Sequence, residues 1–140
     1  MRALPLFGLL IAAPCMAVSA TPSPQMTGEA LVKLMGNVDP AQVPWSPSSP
    51  FRTRAIAAEY IDMSNGEFVR GFIQGVYDAT QGKEWCPGVQ VRPMPHEMDA
   101  DARSALQRLP AAQLKMGAAD LIVAAWRKSW PCPGGQRREP

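Results

Sequence analysis

At 140 residues with a formal net charge of +2, the chain has room for one small domain and no electrostatic argument for a nucleic-acid partner. Its 14 basic and 12 acidic residues are interspersed, without the basic run a phosphate backbone would call for. An apolar share of 46% is ordinary for a folded protein and excludes bulk disorder, while the 15 prolines gather in clusters that read as loops between compact pieces.

The first twenty residues read as a separate unit. Met1-Arg2 gives a positive start, Leu4 to Ala13 a short apolar run, and the closing "AVSA" places small residues at Val18 and Ala20 for a signal peptidase. Cleavage after Ala20 is expected. The run is shorter than the ~20 apolar residues a span needs, so it predicts an export signal into the periplasm and no stable membrane anchor after cleavage. Cys15 invites a lipoprotein reading. Pro14, however, stands where a small residue is expected, and Cys15 then leaves with the signal.

Export bears on the two remaining cysteines, in "EWCPG" and "SWPCPG". In an oxidising compartment two lone thiols pair, which predicts a Cys86–Cys132 disulfide. A redox pair would need C-x-x-C spacing, and zinc would need more ligands than two Cys and the single His96.

The mature domain is expected over residues 21–132. "TGEALVKLMG" reads as a first helix capped by Thr27, with Leu31, Leu34 and Met35 on one face and Gly36 at its end. The proline-rich stretch 37–50 cannot be a long helix. Its Trp45 either folds back over the core or stacks on a ligand. A second helix is expected over 51–63, with Ile56, Ala57, Tyr60 and Ile61 at helical spacing. A third is expected to start at Ser64, where Ser64 and Glu67 make a capping box and Met63 and Phe68 a hydrophobic staple. Its stripe of Phe68, Val69, Phe72, Ile73, Val76 and Tyr77 predicts the central buried helix. Gly71, Gly75 and Ala79 recur every fourth residue. Each glycine costs roughly 1 kcal/mol against alanine in a helix, so a closely packed neighbouring backbone is expected there, with self-association as the alternative. Asp78, at the end of this stripe, is expected to accept hydrogen bonds from a helix end or loop.

Residues 87–97 predict a rigid loop presenting Val89, Val91, Arg92, Met94 and His96. A helix capped near Asp99 then turns Ala102, Ala105, Leu106 and Leu109 inward. Pro110 opens a last helix running to Pro131, with a stripe of Leu114, Ala118, Leu121, Ile122 and Ala125. "GGQRREP" closes the chain within a polar, flexible tail over 133–140. With no strand-like alternation, the expected fold is all-α: a small compact bundle of four or five helices with one disulfide.

Catalytic constellations are absent from the pattern. There is one His, no nucleophile elbow, no phosphate loop and no H-E-x-x-H pair. Asp99 and Asp101 diverge on a helix, and a solvated face accounts for Glu59 with Asp62. No catalytic residue, metal or cofactor is expected. Trp85, Trp126 and Trp130 read as a lid around the disulfide, or as an aromatic platform for sugar or peptidoglycan.

Taken together, the signal peptide, "TGEALVKLM", "RGFIQGVYDA", "WCPGV", the Leu-Pro joint and the terminal "WPC" resemble the Tai/Rap family of type VI secretion immunity proteins. The resemblance runs from about Thr27 to Cys132. It implies a small helical periplasmic protein that binds and blocks a cell-wall amidase effector, in several members as a homodimer, with Cys86–Cys132 as the family's disulfide and Gly71, Gly75 and Asp78 within its motif. Many relatives carry a further Cys pair where this chain has Met35 and Val69. The 37–50 insert is also longer than the family's. For such a blocker, a rigid loop inserted into a cleft loses little entropy on binding. Val91, Arg92, Met94 and His96 are the candidate partner-binding residues. The alternative function is an exported envelope binding or structural module without a toxin partner.

Overall fold

The computed structural model describes residues 25–88 and 93–133. The expected signal peptide with Cys15, the loop residues Val89, Val91 and Arg92, and residues 134–140 of the expected tail lie outside the described residues. Among those described, five α-helices and one 3-10 turn account for the regular structure.

The first helix, α1 (Gly28–Leu34), starts as its sequence dictates, with the Thr27 hydroxyl accepting from the Ala30 amide at 3.2 Å. Leu31 is fully buried on its inner face. Gly28 is required by packing, since a Cβ there would lie 2.7 Å from Leu121 Cδ1 and 3.1 Å from the Leu114 carbonyl.

The expected second and third helices are one, α2 (Arg54–Thr80), 27 residues long and capped by Thr53. Ser64 is an interior, exposed residue, and Glu67 turns forward to Arg70 at 3.2 Å instead of back to a cap. The capping signals lose even though no residue between Ala58 and Val69 is buried, because the buried positions on either side fall on one face of a continuous helix. Propagating an existing helix adds a hydrogen bond per residue, whereas restarting one means a new nucleus. Phe68, assigned from sequence to the buried stripe, is 49% exposed at its edge.

The helix ends in a tight turn at Gly82, the only described residue with φ in the left-handed region (75°), which suits glycine. Further on, α3 (Pro95–Gln107) begins four residues before the expected cap at Asp99. Pro95 takes the first helical position, and the Glu97 carboxylate accepts from the Met94 amide at 2.7 Å. His96 is therefore in a first helical turn and not in a loop. The expected last helix is two: α4 (Ala111–Leu114) and α5 (Ala118–Ser129). They part because the backbone at the joint bonds to the lead-in of α1. The Gly28 amide donates to the Met116 carbonyl and the Ala118 amide to the Met26 carbonyl, both at 2.9 Å.

One core fills the bundle, built from Leu31, Val69, Ile73, Met98, Ala102, Leu106, Ile122 and Trp126 among others. A second, smaller cluster lies where Val43, Val38 and Phe51 of the insert meet Ala57, Ala58 and Ile61 of α2. The Asp62 carboxylate accepts the Val38 amide at 2.8 Å, and the Trp45 indole donates to the Phe51 carbonyl at 2.8 Å. Trp45 thus folds back onto its own segment.

The disulfide joins Cys86 to Cys132 across 46 positions of sequence. Beside it, Trp85 and Trp126 are fully buried and Trp130 partly so. Ring centroids lie 5.1 Å apart for Trp85–Trp126 and 5.2 Å for Tyr77–Trp85. The Trp85 indole donates to the Thr80 hydroxyl at 2.9 Å. This is core structure, with too little face free for Trp85 and Trp126 to act as a sugar platform.

Candidate functional site

The Gly71 and Gly75 expectation is corrected by the geometry. Both are exposed, and a Cβ at either would meet no atom within 4 Å. No neighbouring backbone of the same chain packs on that face. Asp78 is also exposed and accepts from Gln74 on its own helix at 2.9 Å, so it braces neither a loop nor another helix end.

Of the four candidate partner-binding residues, Val91 and Arg92 lie outside the described residues. Met94 and His96 fall at the start of α3, both exposed, Met94 by 58%. Their position follows from local chemistry. Prolines at 93 and 95 restrict the backbone around Met94, and the Glu97 carboxylate fixes its amide. Pro93 is buried, which anchors the entry to α3.

Beside them a cleft of about 430 Å³ opens between α2 and α3. Ile73, Tyr77, Met98 and Pro95 give it an apolar floor and wall, and Arg70, Gln74, His96 and Asp99 give it a polar rim. The Asp99 carboxylate is already committed on one oxygen, accepting from Arg103 Nε at 2.7 Å, while its other oxygen is buried without a partner. Sequence reading missed the α2 side of this cleft. Arg70 and Gln74 fall on solvent-facing positions with no motif of their own, and only the closeness of α3 turns them into a rim. The available signal was the prolines at 93 and 95, which mark the loop as rigid without saying what it faces.

The arrangement suits recognition. An apolar floor with convergent polar groups at its edge can receive a side chain of another protein. A shallower cleft on the opposite flank of α2 is lined by Met26, Phe68, Phe72 and Ala119, with Asp120 its one charged group. Among the described residues no group of three or more His, Cys, Asp or Glu could hold a metal ion, and no helix is long and apolar enough to cross a membrane.

A family model described as Rap1a immunity proteins matches residues 52–132. That stretch takes in α2 to α5, both cysteines of the disulfide and the cleft, and leaves out α1 and the proline-rich insert. No curated protein matches the chain.

Proposed function

The chain belongs to the Rap1a immunity protein family, and on that premise we propose that it is exported to the periplasm, where it binds a peptidoglycan amidase delivered by type VI secretion and blocks it sterically. In this reading residues 1–20 are a cleaved signal peptide, 21–132 the working domain and 133–140 a flexible tail. The protein acts as a binder and not as an enzyme, and it self-associates as a homodimer.

The observation that carries the reading is the exposed pair Met94 and His96, their backbone held by Pro93, Pro95 and Glu97, with His96 on the rim of an apolar-floored cleft. A backbone already held in place loses little freedom on docking, and Met and Arg are enriched at protein interfaces. Arg92, two residues before Met94, belongs to the same proposed surface together with Val91.

The test begins with co-purification of this protein with the product of its neighbouring gene, and a peptidoglycan-cleavage assay of that product with and without it. Stoichiometric binding with loss of cleavage is expected. Arg92→Glu with Met94→Ala should weaken that binding by at least ~2 kcal/mol, about thirtyfold. Unchanged binding by the double variant rejects the surface. Failure of the wild-type protein to bind or inhibit rejects the amidase reading and leaves an envelope module.

A further inference from the structure

The shallower cleft between α2 and the start of α5 measures about 490 Å³ and is walled by Phe68, Phe72, Met26 and Ala119, with Asp120 on its edge. Phe68 and Phe72 stack with ring centroids 6.5 Å apart, and Phe68 stands 49% exposed where its stripe predicts burial. Asp120 pairs with no cation among the described residues. Its helix neighbours three and four positions away are Met116, Gly117, Val123 and Ala124, none of them basic. An apolar cleft with one carboxylate at its edge suits an apolar ligand that carries a single positive charge.

The chain delivers such a ligand to this place. Gln25 also lines the cleft, and Met26 is pinned there by the 2.9 Å bond from the Ala118 amide to its carbonyl. Just before Gln25 come Thr21-Pro22-Ser23-Pro24, outside the described residues. Cleavage after Ala20 would make the Thr21 nitrogen a free α-ammonium. We propose that this first segment of the mature chain docks in the cleft, Pro22 and Pro24 against Phe68 and Phe72, with the Thr21 ammonium beside the Asp120 carboxylate. The docking rests on the export and cleavage put forward above.

Reach, stiffness and charge favour this occupant over a separate partner. Four residues span at most about 14 Å, which keeps the whole segment near the cleft it starts from. The prolines fix φ at two of the four positions, so less freedom is lost on docking. A short tether presents the segment at an effective concentration in the millimolar range, above what a separate protein commonly reaches. In the precursor the Thr21 nitrogen is an uncharged amide. Processing therefore creates the charge that anchors the segment, and the mature protein covers an aromatic pair that the precursor leaves open.

Nuclear magnetic resonance on the protein purified from the periplasm tests this, with its N-terminus read by mass spectrometry. Nuclear Overhauser contacts from the Pro22 and Pro24 rings to the Phe68 and Phe72 rings are expected, independent of protein concentration. Acetylation of the α-amine and Asp120→Asn should each lower the docked-to-free ratio about threefold, the worth of one exposed ion pair. Both together should lower it no further, because each removes one half of the same pair. Phe68→Ala, at an exposed position, should reduce the contacts to Phe72 as well. A protein that starts at Thr21 and lacks these contacts overturns the docking and leaves the export reading standing, and so does one whose contacts survive both charge changes intact. An N-terminus other than Thr21 overturns cleavage after Ala20 and the docking with it. Contacts that grow with concentration mean that another copy's segment fills the cleft, which overturns docking within one chain.

Discussion

The two ends of α2 are held by different means. Its C-terminal end is locked by Tyr77, Trp85 and Trp126 in mutual contact, by a hydrogen bond from Trp85 to Thr80, and by a covalent link to the segment after α5. Its N-terminal end rests on a handful of small contacts, Val43, Ala57 and Ala58 with Val38, Phe51 and Ile61, and on one carboxylate that ties the insert at Val38. The family match begins at residue 52, so the elements that close this weaker end lie outside the shared pattern. A continuous helix does not imply uniform stability. Burial per turn decides which end opens first, and here it favours the C-terminal end.

Removing the disulfide by Cys86→Ser with Cys132→Ser tests the strong end most severely. Closing a loop of 46 positions is worth ~4 kcal/mol in the chain-entropy model, so the expected result is a large fall in Tm by calorimetry or tryptophan fluorescence. An unchanged Tm would place the stability of that end wholly in the aromatic cluster. Gly28→Ala comes next. Its methyl group would press on Leu121 and on the Leu114 carbonyl, and overpacking of this kind costs ~1–3 kcal/mol in denaturant unfolding, although alanine is the better helix former. The smallest effect is expected for Asp62→Ala, about 1 kcal/mol, from the loss of the Val38 contact. Its signature is local. Amide exchange should speed up over residues 38–62 while the amides around Trp126 keep their protection. Uniform acceleration would mean that the two ends open together.

The outline of the bundle was legible where apolar spacing and caps agree, as at Thr27 and along Ala118, Leu121 and Ile122. The disulfide followed from two cysteines and a signal-like leader. Boundaries failed where a local signal met a tertiary one. Ser64–Glu67 is a correct capping pattern placed inside a helix whose two buried patches, ending at Ala58 and resuming at Val69, share one helical phase. The chain from Pro110 to Pro131 is helical by propensity, yet it parts at Met116–Gly117 because the residues around Met26 claim its backbone, some ninety positions away. For the cleft, Met94 and His96 could be picked out because prolines flank them. Arg70 and Gln74 could not, because facing α3 is a property of the assembled bundle. Gly71 and Gly75 misled in the most instructive way: their spacing does mark a face fit for close approach, but no part of the same chain occupies it.

The pairing of Met26 and Gly28 with the joint between α4 and α5 carries a cost in time. Leu31 sits at the centre of the interior, and α1 packs on α2 and α3 as well as on α4 and α5, so an N-terminal fragment offers only part of its seat and lacks the backbone pairing at the joint. Closure must wait for a very long loop to find its end, and low contact order is lost for this one step. A chain cut short before α5 would leave the first helix with only part of its seat, and quality control would meet it as an open, sticky intermediate rather than as a smaller folded protein.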